Sequence, residues 1–276
     1  MQTLLSTAEA ARLAGVGTTS VKRWADEGVL ECLKTAGGHR RFERATLEAF
    51  LRTHGAPPAS EPRERWLDLF VSGGAYELRA ELFAARGRLG AWHRVCDELA
   101  PALTELGNRW ECGDVSVLDE HVASERIARA LAHVADALPV GERGPVCLLA
   151  CAEGDDHTLG LSLAELCLNE AGWSTLWAGR RTPVGDLVGA VERGGVDMVA
   201  LSASTVSADS RGIAAQLRKV EAACRAQDIA LALGGRGAWP DETNGARRFH
   251  AFEPFYDFAR GELERRRRVS RSSRAP

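Results

Sequence analysis

Gly154-Asp155-Asp156-His157-Thr158-Leu159-Gly160 joins a short apolar run, Pro145-Val146-Cys147-Leu148-Leu149-Ala150-Cys151-Ala152, to a helix-like stretch from Leu161 to Ala171. A loop between a strand and a helix is where open α/β domains place ligand chemistry. His157 can offer a ring nitrogen to a metal, and a carboxylate two residues earlier, Asp155, can hold the other ring nitrogen and set the tautomer. Gly160, at the start of the helix, lets a bulky planar ligand approach the backbone. A lone histidine in such a loop is more often solvated or capping, so the rest of the chain has to decide.

Three later features follow in order. Val196-Asp197-Met198-Val199-Ala200-Leu201-Ser202 reads as a buried strand ending in a small hydroxyl residue. An amphipathic helix is expected from Ala208 to Ala226, and Ile229-Ala230-Leu231-Ala232-Leu233-Gly234-Gly235 reads as a further strand closing on a glycine pair. Asp-x-His-x-x-Gly with these companions resembles the cobalamin-binding signature of the methionine-synthase-like domain family. The resemblance implies His157 as the lower axial ligand of cobalt, with Asp155, Asp156 and Gly160 at the same site. It also implies a pocket for the dimethylbenzimidazole tail lined by the serine after the first later strand and opened by Gly234 and Gly235. Here that region reads Ser202-Ala203-Ser204 in place of the commoner Ser-x-Leu, which makes Ser202 the better-placed contact of the two.

At 276 residues the chain has room for more than one domain, each with its own core. The formal net charge of −3 does not advertise nucleic-acid binding, but arginines cluster at Arg40-Arg41 and Arg265-Arg266-Arg267-Arg268. The cysteines (Cys32, Cys96, Cys112, Cys147, Cys151, Cys167, Cys224) include no C-x-x-C pair. With no signal-like start and no apolar run near 18 residues, a cytoplasmic protein with reduced thiols and no membrane association is expected.

Residues 4–52 read as a DNA-binding head. Ser6 or Thr7 can cap a first helix, Gly15-Val16-Gly17 makes a tight turn, and Thr18 or Thr19 caps a second helix through Val21, Trp24 and Ala25. That is helix-turn-helix spacing, and the second helix displays Thr19, Ser20, Lys22 and Arg23, side chains suited to phosphates and base edges. Gly37-Gly38-His39-Arg40-Arg41-Phe42 follows, and it resembles the wing of the MerR-type winged helix-turn-helix family. Two glycines form the hairpin tip, His39, Arg40 and Arg41 face the nucleic acid, and Phe42 anchors the returning strand. A third helix is expected from Glu43 to His54. Three prolines between Pro57 and Pro62 then mark a linker, 56–62.

From Arg63 to Leu138 no strand is expected. Helical runs at 63–72, 75–88, 90–108 and 115–138 carry apolar residues at three-and-four spacing, and such helices can pack as a bundle. Trp110, then nine residues, then Glu120-His121 resembles the Trp-x9-Glu-His signature of light-responsive cobalamin regulators, the CarH/LitR group. The resemblance implies that the bundle caps the upper corrin face, with Trp110 on the upper ligand and Glu120 and His121 beside the adenosyl group. One departure matters. Photoreceptor members are expected to carry a histidine directly after the tryptophan, to take the vacated cobalt position after light. This chain has Glu111 and then Cys112, a harder and a softer donor than imidazole. His93, His121 or His133 could substitute only if the fold brings one to the metal.

The expected architecture is multidomain, α plus α/β. A winged helix-turn-helix head occupies 1–55, a four-helix cap 63–139 and a Rossmann-like (flavodoxin-like) cobalamin domain 140–261, with a basic disordered tail over 262–276. The resemblances cover 4–52 and 63–258. They imply a non-enzymatic, cobalamin-dependent, light-responsive repressor. Adenosylcobalamin (with methylcobalamin the other candidate) would control assembly into a dimer or tetramer on operator DNA. The rivals are a light-independent cobalamin sensor, a MerR-like regulator that has lost its cofactor, and a corrinoid methyl carrier. A methyl carrier has no use for the wing.

Overall fold

The computed structural model describes residues 4–14, 16–35, 37–54, 62–138, 144–205 and 210–272. The linker at 56–61, Gly15 of the expected turn and the last residues, 273–276, lie outside them. The chain divides into two compact units, Met1–Leu78 with Pro101–Ala123, and Arg79–Ala100 with Ser124–Pro276.

The first unit begins with a strand, Leu4–Ser6 (β1), helices Thr7–Ala14 (α1) and Thr18–Asp26 (α2), strands Leu33–Lys34 (β2) and Arg40–Glu43 (β3), and helix Arg44–His54 (α3). Ser6 caps α1 reciprocally: its hydroxyl accepts from Glu9 N at 3.3 Å while Glu9 Oε2 accepts from Ser6 N at 2.7 Å. This is a capping box, and it draws the Glu9 carboxyl below its ordinary range, first through the Ser6 backbone bond. β1, not anticipated from sequence, pairs antiparallel with β3, and β3 with β2. Three residues are too few for an alternating pattern to register. The core joins Ala10, Ala11, Ala14, Val21, Trp24, Leu30, Phe42 and Leu47, with Trp24 against Phe50 at 5.0 Å.

Four longer helices follow: Pro62–Ser72 (α4), Ala75–Leu89 (α5), Trp92–Glu111 (α6) and Val117–Asp136 (α7). They are the expected bundle helices, shifted by at most three residues at any end. Ser116 caps α7, its hydroxyl accepting from Asp119 N at 3.1 Å. The division between the two units passes through α5, α6 and α7 rather than between the expected domains.

The second unit holds the sheet. In order come Val146–Cys151 (β4), Leu159–Ala171 (α8), Ser174–Gly179 (β5), Val184–Arg193 (α9), Met198–Ser202 (β6), Ser210–Ala226 (α10), Ala230–Gly234 (β7), Ala246–Arg248 (β8) and Phe252–Ser272 (α11). The strand order is β5-β4-β6-β7-β8 and every pairing is parallel. β5 was not anticipated because it is an edge strand: Leu176 and Trp177 stay exposed, so it lacks the continuous apolar run of a central strand. Leu148, Leu201, Leu231 and Leu233 pack beneath Leu187 and Val191 of α9 and Ile213, Leu217 and Val220 of α10. α8 is buried around most of its circumference. Trp173, fully buried, donates from Nε1 to Ala259 O of α11 at 2.9 Å.

The C-terminal expectation is corrected. Residues 262–272 are not a disordered tail but the end of α11. Arg265 reaches Asp228 at 2.9 Å. Arg266 reaches Asp197 Oδ1 at 2.7 Å and also donates to Asp197 O. Asp197 Oδ2 in turn accepts from Val146 N at 2.8 Å, so this carboxylate ties α11 to the start of β4. Arg265 and Arg266, which looked like part of a loose polycation, are structural because the fold brings acidic residues to them.

Candidate functional site

The chain leaves β4 to form α8 and β5 on one side of it, then crosses to β6 on the other. The sheet therefore reverses its direction of growth between β4 and β6, and the crevice outside the carboxyl ends at such a switch point is the binding position of open α/β sheets. Cys151 and Ser202 are register partners at those ends, so the loops 152–158 and 203–205 emerge side by side.

His157 sits in the first loop with its side chain 58 % exposed, while Asp155 is buried. Three N–H donors converge on the Asp155 carboxylate: Oδ1 accepts from His157 N and lies 2.9 Å from His157 Nδ1, and Oδ2 accepts from Ser204 N at 2.5 Å. A carboxylate beside Nδ1 favours the proton there and leaves the lone pair on Nε2. The loop is held elsewhere too. Cys151 Sγ donates to His157 O at 3.4 Å, and its thiol is pushed up to about 12, chiefly by burial and then by the Asp155 charge. Gln216 Oε1 of α10 accepts from Glu153 N at 3.1 Å.

The remaining expected residues separate by role. Asp156 points to Arg181, whose Nε and Nη2 reach both its oxygens at 2.5–2.9 Å. The pair depresses the Asp156 carboxyl and raises the Arg181 guanidinium. Ser202 is buried, with its hydroxyl facing Gly160. A Cβ on Gly160 would lie 3.5 Å from Ser202 Oγ, and one on Gly234 would come no nearer than 4.0 Å to Leu201 O, both ordinary contacts. The fold itself does not require glycine at either position. Gly235 differs: its φ is +79° and a Cβ there would stand 2.2 Å from Ala203 O, so the backbone itself demands glycine.

In the first unit, Trp110 near the end of α6 is 39 % exposed, and Val117, Leu118 and Val122 of α7 are exposed as well. Glu120 Oε2 lies 3.8 Å from His121 Nε2, and the His121 ring is largely solvated. Glu111 and Cys112 are exposed, and Gly113 (φ +79°) follows the end of α6. Of the alternative histidines, His93 is buried, stacked on Tyr256 at 4.4 Å with Nδ1 3.4 Å from Glu170, which removes it as a ligand. His133 is exposed.

The residues expected to face DNA lie on α2 and the hairpin. Lys22 and Arg23 are exposed. Ser20 is half-buried, and the Thr19 hydroxyl donates to Asp68 of α4. His39 is exposed at the hairpin tip, where its N donates to Thr35 Oγ1 at 3.1 Å and Gly38 adopts φ +78°. Arg40 is not a bare cation: it pairs with Asp26 at 2.5 Å. Arg41 is half-buried and donates to Arg40 O at 3.1 Å.

Comparison with known proteins places the chain in a family. A helix-turn-helix domain model matches residues 4–55 and a B12 binding domain model matches residues 62–135. The HTH-type transcriptional repressor CarH of Myxococcus xanthus is 30 % identical over 232 residues, covering 70 % of this chain and 76 % of that protein. The chain belongs to the CarH-like family of B12-binding helix-turn-helix regulators. The repressor CarA of the same organism is 37 % identical over 197 residues, 69 % of this chain and 65 % of its own length. For the fold alone, the Methanosarcina barkeri monomethylamine corrinoid protein superposes with a TM-score of 0.55 at 16 % identity, covering 72 % of this chain and 95 % of that one.

This CarH-like chain is a cobalamin-dependent transcriptional regulator. Its donor chemistry fits the cofactor. A corrin brings most of its own metal's donors, so the protein would need to supply one donor and an open face; His157 could be that donor, with space beside Gly160 and Gly234. Among the described residues no cluster of three or more His, Cys, Asp or Glu side chains could hold a bare ion. None of the described helices is long and apolar enough to cross a membrane. Sequence reasoning missed two contributors to the loop, the Ser204 amide and Arg181. A backbone N–H leaves no trace in residue type, and Arg181 lies 24 residues beyond His157 in a segment without a motif.

Proposed function

We propose that this regulator binds adenosylcobalamin with His157 as the lower axial ligand, and that the state of the upper face controls self-association and so operator binding. One observation carries the reading: an exposed imidazole at the switch point, its Nδ1 2.9 Å from a buried carboxylate that two backbone amides also hold. When bound, the cofactor supplies a cobalt–carbon bond that light can break. Asp155 keeps the proton at Nδ1 and so directs the Nε2 lone pair outward. Gly160, Ser202 and Gly234 leave room for the corrin and its nucleotide tail. The resemblance assigns Trp110, Glu120 and His121 to the upper ligand: an aromatic face suits an adenine, and a carboxylate accepts from ribose hydroxyls. Assembly of several heads on one operator would raise their effective concentration and convert weak contacts of Lys22, Arg23, His39 and Arg41 into tight binding. The protein then acts as a switch and catalyses nothing.

A second reading has a specific observation in its favour. Glu111, not histidine, follows Trp110, which points to a cobalamin sensor without a bis-imidazole photoproduct. Visible spectra decide the first claim: His157→Ala should lose the histidine-coordinated spectrum of the wild-type complex, and an unchanged spectrum refutes His157 as ligand. Size-exclusion chromatography of the adenosylcobalamin complex in the dark and after illumination separates the two readings. Identical elution favours the light-independent sensor.

A further inference from the structure

Arg181 has a backbone conformation that its side chain does not favour. Its φ is +47°, in the left-handed region where residues other than glycine, asparagine and aspartate are uncommon. That conformation directs two groups of Arg181 toward the loop that carries His157. Its N–H donates to Asp155 O at 3.0 Å, and its guanidinium grips Asp156 by Nε and Nη2 together. The two residues immediately before the axial imidazole are thus both held from the loop after β5. The other side of Asp155 is held by Ser204 N, from the loop after β6. A strained residue that persists at a ligand site is over-determined by its surroundings and belongs to the site's pre-organisation.

We infer that Arg181 is a positioning residue for the axial imidazole: it clasps the His157 loop in its ligating shape before the cofactor arrives. The inference rests on the reading of His157 as the cobalt ligand. Arg181 does not touch the metal. It lowers the conformational freedom that the loop would otherwise lose on binding. The ion pair is largely exposed, and exposed pairs are individually weak. The clasp is nevertheless bidentate and comes with a backbone bond, so its effect should be modest but measurable.

The test compares wild type with Arg181→Gln, Asp156→Asn, the double variant, and the charge-exchanged Asp156→Arg/Arg181→Asp. An aspartate tolerates the left-handed backbone at 181. Two quantities are read: amide hydrogen exchange over 153–159 in the cofactor-free protein, and adenosylcobalamin affinity by visible titration. Each single variant should speed exchange and weaken affinity by roughly threefold, the size expected of an exposed pair. The Gln/Asn double should be no worse than either single, and charge exchange should restore both quantities. The histidine-coordinated spectrum at saturation should not change. Unaltered exchange in Arg181→Gln overturns the clasp. Faster exchange with unaltered affinity overturns its role in positioning. If wild type takes up no cobalamin, the ligation reading fails and the positioning role with it. The exchange data identify that case, because they still report the clasp.

Discussion

Replacing Asp155 by asparagine should separate the cofactor site from the fold. Asp155 is 2 % exposed, and its oxygens accept, among others, from His157 N and Nδ1 at Oδ1 and from Ser204 N at Oδ2. An asparagine has one carbonyl oxygen and one NH2 group. With its oxygen at the Oδ1 position, the NH2 meets the Ser204 N–H. Flipped, it meets both His157 donors. Either way at least one part-buried donor loses its acceptor, and the bonds that remain are no longer charge-assisted. Hydrogen bonds to charged groups contribute about 1.5–3 kcal/mol, so the cofactor-free protein should lose about 2 kcal/mol of stability in urea unfolding. The second consequence is specific to the ligand. Without the carboxylate the imidazole is neither oriented nor made more basic, and loss of such an outer partner typically costs about 10–100-fold in metal affinity. Visible titration with adenosylcobalamin should show that weakening. A variant with unchanged affinity and spectrum would refute the role given to Asp155, even if its stability fell, because Asp155 would then only hold the loop.

Four further outcomes are expected. A thiol reagent at pH 8 should modify exposed Cys112 first and Cys32 slowly. Cys151 and Cys224, both pushed up to about 12 chiefly by burial, should react only on unfolding, and rapid labelling of Cys151 would contradict its packing under the His157 loop. Arg266→Ala should destabilise the protein by about 1 kcal/mol through the loss of Asp197, whereas Arg267→Ala should not; the reverse order in a melting experiment would restore the loose-tail reading of the arginines. Lys22→Ala and Arg23→Ala should each weaken operator binding and reduce its salt slope by about one, while Asp68→Ala, which frees Thr19 at the start of α2, should strengthen it; fluorescence anisotropy across a salt series checks both signs. The Asp156 carboxyl is depressed by Arg181, so the stability of that pair is fully present above the ordinary aspartate value near 3.9 and is lost only as pH falls through the still lower folded value. Loop protection, corrected for intrinsic exchange, should therefore match at pH 7 and pH 5, and a loss by pH 5 would show that another group controls it.

Much of the architecture was legible before any coordinates because it depends on local rules. The head announced itself through capping residues, glycine turns and the Gly-Gly-His-Arg-Arg-Phe hairpin. The long helices followed apolar spacing, and the three central strands were continuous apolar runs. β5 was not legible, since an edge strand such as Leu176-Trp177 leaves its side chains in solvent. The end of α11 was misread because four successive arginines look solvated until Asp197 and Asp228 are seen opposite them.

The chain's residue order alone determined which group could ligate, His157, and which carboxylate stands near enough along the backbone to orient it. Both belong to one seven-residue loop, so no long-range contact was needed to see them. Only the tertiary structure decided that this loop lies at the sheet's switch point, that Ser204 N and Arg181 hold it from loops on either side, and that a side chain at Gly160 or Gly234 would meet only ordinary contacts while Gly235 is required by its own backbone. Those facts arise from strands paired in the order β5-β4-β6-β7-β8, and pairing between segments far apart in the chain leaves no mark on local sequence.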